Sequence, residues 1–345
     1  MALLWADGFD HYGGITARLL DRVYSSIEGV TLSTSSARTG SYAARVQVLQ
    51  NNSGMRRVLP YETDMVGLAY AFNIQALPTD NRSMCLCQML SKTNAPLMTV
   101  SVYSTGALAV RIGGWTGTIV AESGPEIIMP NSYQHFEIAV NGSNLEIRIN
   151  GVTYLNMTDL ALSAQIAQIM VAGCYGYPKT GAVQTDMFVD DVVCWDDTGP
   201  QFNTWVGDKK VYLRMPDEDG PDQDWTPSTG SNAWPILDNV PPVDSQYVTA
   251  TEAGDRVSVG IAAFNTDIVS IAGVYVVGRV WKTDAGNAKI SIDMVSGSEE
   301  SDPVSIPVTN APVWYGRAFE ADPNTGMPWT VAGINDSLVR IERIE

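Results

Sequence analysis

Two Asn-Gly pairs, close together in the sequence, constrain the fold of this chain more than any other feature. Asn141-Gly142 and Asn150-Gly151 each follow a segment in which apolar and polar side chains alternate, 133–140 and 144–149. Both residue types tolerate positive φ angles, so this dipeptide between alternating segments is the strongest short-range signal of a β-hairpin. Two such turns in succession predict an antiparallel β-meander.

A second apolar segment, residues 184–197, predicts the strand that closes the first half of the chain. Phe188-Val189 and Val192-Val193 flank Asp190-Asp191, and Asp196, Gly199 and Pro200 end the segment. In sandwich folds the closing strand usually lies beside the opening strand, which brings the two ends of the domain together. The opening candidate is 3–9, and we predict that these two strands pair.

Strand patterns dominate the rest of the sequence, and only residues 17–27 have apolar residues at helical spacing. Short strands separated by Gly, Pro, Asn and Asp turns predict an all-β, two-sheet antiparallel sandwich. A chain of 345 residues is too long for one ordinary core. We predict a sandwich domain at 1–198, a linker at 199–208 and a smaller C-terminal β-domain at 209–345 that serves in assembly.

The charge balance is acidic, with 21 Lys and Arg against 38 Asp and Glu and a net charge of −17. A surface of this sign repels phosphate backbones, so we expect no nucleic-acid partner. Apolar runs are shorter than a spanning helix needs, and no secretory signal is recognisable, so we expect no membrane span and synthesis in a cytoplasm. Four cysteines without a Cys-x-x-Cys pair predict buried thiols.

The first half of the chain resembles the concanavalin A-like, laminin-G-type jelly roll. The resemblance lies in Arg38-Thr39-Gly40-Ser41-Tyr42-Ala43-Ala44, in the 133–140 strand with the Asn150-Gly151 turn, and in Phe188-Val189-Asp190-Asp191-Val192-Val193. It covers most of residues 1–198. It implies an N-terminal jelly-roll sandwich of the lectin-like type.

A narrower resemblance runs along the full chain. Gly8-Phe9-Asp10-His11-Tyr12, residues 188–197, Gly207-Asp208-Lys209-Lys210-Val211, Asp224-Trp225-Thr226-Pro227, Asp255-Arg256-Val257 and 323–330 are similar to segments of tailed-bacteriophage virion proteins. This implies a structural subunit of the virion: a tail fibre, a collar or a capsid-decoration protein. The expected partners are other copies of the chain in a symmetric oligomer such as a trimer, other virion proteins, and host surface glycans.

Catalytic motifs are missing from the sequence. Retaining glycoside hydrolases of the concanavalin A-like fold share the sequence motif Glu-x-Asp-x-(x)-Glu on one strand. This motif places two carboxylates about 5–5.5 Å apart on one face. This chain has no such pattern, only His11 and His135 as histidines, and no nucleophile or zinc-protease motif. We therefore expect no enzyme. The alternative is a carbohydrate-binding module or glycoside hydrolase of the same fold.

Aromatic residues at strand ends and in loops are the candidate glycan contacts, since a sugar-stacking surface is built at such places. They are Tyr103, Trp115, Tyr175 and Tyr177.

A calcium site is the one cofactor considered, because lectin-like sandwiches often hold this ion with oxygen ligands. If the first and last strands pair, four carboxylates would converge: Asp7, Asp10, Asp190 and Asp191. The alternative is that Asp190 and Asp191 accept hydrogen bonds from turn amides. The acidic segment 217–230 lacks the correctly placed Gly and the bidentate Glu of a calcium loop, and we expect it to be a solvated loop.

Overall fold

The computed structural model describes residues 3–21, 23–47, 53–79, 83–174, 185–199, 203–264 and 267–345. Within these ranges the chain is almost entirely antiparallel β structure, with only short helical segments. This confirms the all-β class.

Fifteen strands form the first half. They are β1 (Leu3–Asp7), β2 (Ser26–Glu28), β3 (Val30–Ser33), β4 (Ala43–Gln47), β5 (Ser53–Thr63), β6 (Met65–Ile74), β7 (Ser83–Leu90), β8 (Pro96–Tyr103), β9 (Leu108–Ile112), β10 (Thr118–Glu122), β11 (Gln134–Asn141), β12 (Asn144–Ile149), β13 (Val152–Met157), β14 (Ile166–Cys174) and β15 (Asp186–Trp195). Short 3₁₀ helices cover Asp10–Tyr12 and Thr16–Leu20, the second lying in the region of helical spacing.

Two sheets are built from these strands. The first sheet has the order β13-β12-β11-β6-β15-β4-β3, and β1 pairs with β15; the second sheet has the order β10-β9-β8-β7-β14-β5-β2. Their facing sides enclose one apolar core that contains Tyr70, Phe72 and Phe136, all fully buried. The first half is therefore the predicted jelly-roll sandwich.

The predicted pairing of the first and last strands is confirmed. β1 runs antiparallel to β15, with Trp5 opposite Cys194 and Asp7 opposite Val192. The ladder between β15 and β6 shifts register between Asp190 and Val193, and Asp191 has a φ of 54°. This bulge interrupts the strand where the two aspartates stand.

The two Asn-Gly turns are also confirmed. β11 and β12 join at a turn in which Gly142 has a φ of 58°, and β12 and β13 join through Asn150 and Gly151 with φ of 51° and 78°. Positive φ at both central residues of the second turn matches the twist of the flanking strands.

Ten strands and two short α-helices follow in the second half. They are β16 (Pro216–Gln223), β17 (Thr226–Pro227), α1 (Trp234–Leu237), β18 (Val248–Thr249), β19 (Arg256–Ile261), β20 (Val274–Val280), β21 (Lys289–Ser296), β22 (Glu299–Glu300), β23 (Ile306–Pro307), β24 (Val313–Phe319), α2 (Val331–Asn335) and β25 (Ser337–Arg343). No helix among the described residues is long and apolar enough to cross a membrane.

The second half contains one larger sheet, β16-β19-β25-β21-β22 with β23 beside β21, and the strand pairs β17-β18 and β20-β24. An apolar cavity of about 1090 Å³ lies beside these strands; its walls include Trp225, Val259, Ile292 and Ile341 from this half and Leu3 and Val193 from the first half. Every ladder found in the described residues joins strands of the same half, while the domain boundaries at 198 and 209 stay a prediction.

The outer side of the first sheet is covered by the chain that follows it. Trp195 and Val193 pack there against Val206 and Ala318. The backbone N–H of Gly207 donates to Glu137 Oε1 at 2.8 Å. The segment predicted as a linker is thus fastened to the sandwich over its described residues.

Candidate functional site

A row of side chains crosses the outer side of the second sheet. Residues directly opposite each other in neighbouring strands place their side chains on the same face. The registers of five successive ladders connect six residues in this way, one from each of the strands β5, β14, β7, β8, β9 and β10: Arg56, Met170, Gln88, Thr99, Arg111 and Ile119. We call this set the polar row.

The polar row faces away from the sandwich core because side chains alternate along a strand. Met55, Val171, Met89, Val100 and Val110, which adjoin its members in the sequence, all belong to the apolar core between the two sheets. The row therefore lies on the opposite surface of the second sheet.

The centre of the row is buried and hydrogen-bonded. Gln88 and Thr99 have no exposed surface. Gln88 Nε2 donates to Thr99 Oγ1 at 3.0 Å, and Thr99 Oγ1 donates to the carbonyl oxygen of Gly113 at 3.0 Å. Ser101, also fully buried, has an Oγ with no hydrogen-bond partner among the described residues. Buried hydroxyls normally have a partner, so this one marks an unfilled polar position.

Arg111 joins the row to two aromatic residues. Its Nη2 donates to the Tyr103 hydroxyl at 3.0 Å, and its Nη1 donates to the carbonyl oxygen of Gly117 at 3.2 Å. The Trp115 ring centroid is 5.9 Å from the guanidinium carbon. Arg111 Nε is buried and has no partner in the described part of the chain.

Arg56 occupies the other end of the row. Its Nε and Nη1 are bonded to Ser25 Oγ at 3.1 Å and Asn94 Oδ1 at 3.0 Å. Gln168 Nε2 donates to the same Asn94 oxygen at 2.8 Å. Four strand spacings separate Arg56 from Arg111, which is about 19 Å across the sheet.

Two of the four aromatic residues predicted to contact glycan meet at this site. Tyr103 and Trp115 both contact Arg111, as described above. Tyr175 and Tyr177 lie outside the described residues. The glycan-contact role of all four stays a prediction.

Three of the four aspartates predicted to bind calcium, Asp10, Asp190 and Asp191, contact the turn at residues 38–42, and all four accept hydrogen bonds from the protein. Asp7 Oδ2 accepts from the hydroxyls of Tyr12 and Tyr24 at 2.8 and 3.1 Å. Asp10 Oδ1 accepts from the backbone N–H groups of Ser41 and Tyr42 at 2.6 and 3.0 Å.

Asp190 and Asp191 hold the neighbouring part of that turn. Asp190 Oδ2 accepts from the backbone N–H groups of Arg38 and Thr39 at 2.8 and 3.0 Å. Asp191 Oδ2 accepts from the Arg38 guanidinium at 3.0 Å, and its Oδ1 accepts from the Val211 N–H at 2.7 Å. Burial raises the pKa of Asp190 to about 7 and also raises the pKa of Asp191.

These bonds match the alternative in which the carboxylates organise the backbone. In the described residues no group of three or more His, Cys, Asp or Glu side chains is arranged to hold a metal ion. Calcium binding at this turn stays open as a prediction.

Sequence reasoning missed the polar row itself. Gln88, Thr99 and Arg111 come from three different strands, and each is a single polar residue between apolar neighbours. The available signal was that alternation, which indicates a strand with one polar face. The register that brings the three side chains together is a property of the folded sheet.

No family model matches this chain, and no curated protein matches it. Among solved structures it is similar to a sialidase, at 13% identity and a TM-score of 0.41, over 56% of this chain and 18% of that one. It is similar to the alginate lyase AlgAT5 of polysaccharide lyase family 7, at 9% identity and a TM-score of 0.37, over 49% of this chain and 84% of that one. It is also similar to a Bacillus subtilis protein of unknown function with a galectin-like fold, at 10% identity and a TM-score of 0.39, over 57% of this chain and 96% of that one. The chain thus spans less than a fifth of the sialidase's length. These likenesses concern the fold.

The expectation of no enzyme was wrong and is corrected by these comparisons. Alginate lyases and a sialidase are among the structures with this sandwich. The expectation depended on a missing pair of hydrolase carboxylates, and that pattern tests only one type of chemistry on this fold.

Proposed function

We propose that this chain recognises a polysaccharide on the outer side of the second sheet. The observation that carries the proposal is the polar row, in which amide, hydroxyl and guanidinium groups from successive strands share one face. The partly exposed guanidinium groups of Arg56 and Arg111 can pair with sugar oxygens, and the aromatic residues beside Arg111 offer stacking surface. The distance of about 19 Å between Arg56 and Arg111 suits an extended chain of sugars that crosses the strands.

The position of the row on the sandwich supports the same proposal. The outer side of the first sheet is apolar where Leu3, Val193 and Trp195 meet the second half of the chain. The outer side of the second sheet carries Gln88, Thr99 and Ser101 instead. Because these three side chains are fully buried, a ligand on this face would contact the partly exposed side chains around them, Arg56, Tyr103, Arg111 and Trp115.

Binding to a panel of neutral and acidic polysaccharides, measured by affinity electrophoresis and calorimetry, tests the proposal. Trp115→Ala is expected to weaken binding about tenfold by removing the aromatic surface beside Arg111. Tyr154→Ala is the matched control, because Tyr154 is an exposed aromatic residue of β13 in the first sheet. Failure of every polysaccharide to bind saturably would refute the proposal.

The same incubations report whether binding leads to bond cleavage. Reducing ends reveal hydrolysis, and ultraviolet absorbance of an unsaturated sugar reveals elimination. Product release that Trp115→Ala removes and Tyr154→Ala retains would assign the chemistry to the polar row.

We propose virion assembly as a second function, supported by the full-length resemblance to tailed-phage virion proteins. One structural observation favours it: β20 pairs only with β24 among the described strands, so its other edge is open. The nearby Val269 is 98% exposed. Open apolar edges favour association with another chain, and a symmetric homo-oligomer such as a trimer would cover them.

Light scattering of the purified protein and immuno-labelling of particles test this second proposal. An oligomer that is found on virions supports it. A monomer that is absent from particles would remove it.

A further inference from the structure

We infer that the ligand of the polar row is an anionic polysaccharide whose carboxylates are bound by Arg56 and Arg111. This inference rests on the proposed function and names the class of glycan. It comes from the charge state of the row, from its unused hydrogen-bond donors and from the distance between its two arginines.

The two arginines differ from most others in this acidic chain. Eight arginines have a carboxylate oxygen within 4.0 Å: Arg18, Arg38, Arg45, Arg148, Arg256, Arg279, Arg317 and Arg340. Among the described residues, Arg56 and Arg111 donate only to neutral oxygen atoms. A partly buried cation is costly without a negative partner, so the row carries uncompensated positive charge.

The arginines also keep donors to spare. A guanidinium has five N–H groups in a planar fork, and two nitrogens of each side chain make the bonds already described. Nη1 and Nη2 of Arg111 each carry two N–H groups and each donates one hydrogen bond among the described residues, which leaves one further N–H on each nitrogen. A carboxylate accepts two parallel N–H bonds from such a fork, whereas a sugar hydroxyl takes one, so the carboxylate is the better match.

The net charge of −17 opposes an anionic ligand, but only weakly at this place. At physiological salt, exposed charges are screened beyond about 8 Å. The polar row consists of two arginines, Met170, Gln88, Thr99 and Ile119, with no carboxylate among them. The row itself therefore carries two positive charges and no negative one.

The two arginines stand about 19 Å apart, so one sugar cannot reach both. The ligand that fits is a polymer with recurring carboxylates, and affinity should increase with oligomer length until both guanidinium groups are engaged.

Calorimetry with length-defined oligomers of galacturonate, mannuronate and guluronate, each beside the same oligomer with its carboxyl groups reduced to alcohols, tests this inference. The acidic form is expected to bind at least about tenfold more tightly, the range of charge-assisted hydrogen bonds. Arg111→Gln and Arg56→Gln should each remove most of that difference and leave the reduced oligomer unaffected. Arg45→Gln is the matched control, since Arg45 lies in the first sheet and pairs with Asp186.

The outcomes separate this inference from the proposed function. Equal binding of acidic and reduced oligomers would overturn the inference and keep glycan binding. If no acidic, reduced or other polysaccharide binds, both the inference and the proposed function are overturned. Circular dichroism of each variant identifies a loss of binding that is due to misfolding. Arg111→Lys keeps the positive charge and should retain part of the preference for the acidic oligomer. Full loss of that preference in a folded Arg111→Lys would contradict a charge-based role.

Discussion

Replacing Arg38 with Met should destabilise the protein in a strongly pH-dependent way. The Arg38 guanidinium lies 3.0 Å from Asp191, whose side chain is 0% exposed, while that of Arg38 is 16% exposed. Removing one partner of a buried ion pair leaves an uncompensated charge, at a cost of about 3–5 kcal/mol. Asp191 keeps bonds from Thr39 and Val211, so we expect a loss near about 3 kcal/mol at alkaline pH.

The sign of the pH dependence follows from Asp191. Burial raises its pKa, and the Arg38 charge is one of the interactions that lower it again. Without Arg38 the pKa rises further, so the carboxyl takes up a proton at mildly acidic pH and the penalty disappears. A raised folded-state pKa contributes stability at low pH that is lost as pH increases. The variant should therefore lie closer to the wild type in stability at acidic pH and fall further behind it at alkaline pH.

Urea unfolding followed by tryptophan fluorescence at one acidic and one alkaline pH measures this effect. Arg45→Met is the matched control, because Arg45 pairs with Asp186 with 37% and 17% side-chain exposure. An exposed pair of this kind is worth about 0–1 kcal/mol. An equal loss for both variants, or a loss for Arg38→Met that does not change with pH, would refute the reasoning.

Three further predictions concern the same fold. Burial raises the pKa of Asp190 to about 7 in the folded protein, against an ordinary value of 3.8. The thermal unfolding midpoint should therefore fall as pH rises from about 4 to about 7, and it should fall less in Asp190→Asn. A midpoint that rises over this range would contradict the prediction. An alanine in the left-handed conformation costs about 1–2 kcal/mol, and both Gly40 and Gly142 have positive φ. Gly40→Ala should cost more than this because its Cβ would lie 1.8 Å from Asp10 Oδ2, whereas the Cβ of Gly142→Ala would have no atom within 4 Å, so that variant should cost only the conformational penalty. Equal chemical-denaturation midpoints for the two variants would contradict the steric argument. Cys87 is fully buried and burial raises its pKa, so mass spectrometry should find it alkylated only after unfolding, and rapid labelling of the native protein would count against the packed core.

The sequence was sufficient for features encoded locally. The Asn150-Gly151 turn depends on residues that accept positive φ, and the closing strand shows its apolar run directly. The pairing of β1 with β15 followed from a general rule about domain ends. These are the elements in which short-range pattern and final structure agree.

One local prediction after the sandwich was wrong for a physical reason. Residues 217–230 look like a solvated loop, yet Pro216–Gln223 form β16, with Glu218 opposite Gly260. An edge strand needs only backbone partners on one side, so its side chains can remain polar.

The candidate site required the sheet register. Gln88, Thr99 and Arg111 meet because their strands align at those residues, and a shift of one residue would turn each side chain to the core. Tyr103 and Trp115 could be chosen from the sequence as aromatic residues near strand ends. Their contact with Arg111 could not be predicted from the sequence.

The two sheets of the sandwich have different outer sides, and this separates the two proposed functions. β6 of the first sheet is buried along most of its length, and Trp195 on the neighbouring strand β15 contacts the second half of the chain. The first sheet is therefore covered on both sides at this place. The polar row lies on the second sheet, away from those contacts. Substitutions in the row should therefore change glycan binding without changing the oligomeric state or incorporation into particles. If Arg111→Gln altered the molecular mass in solution, the row would belong to a subunit interface and the glycan proposal would lose its site.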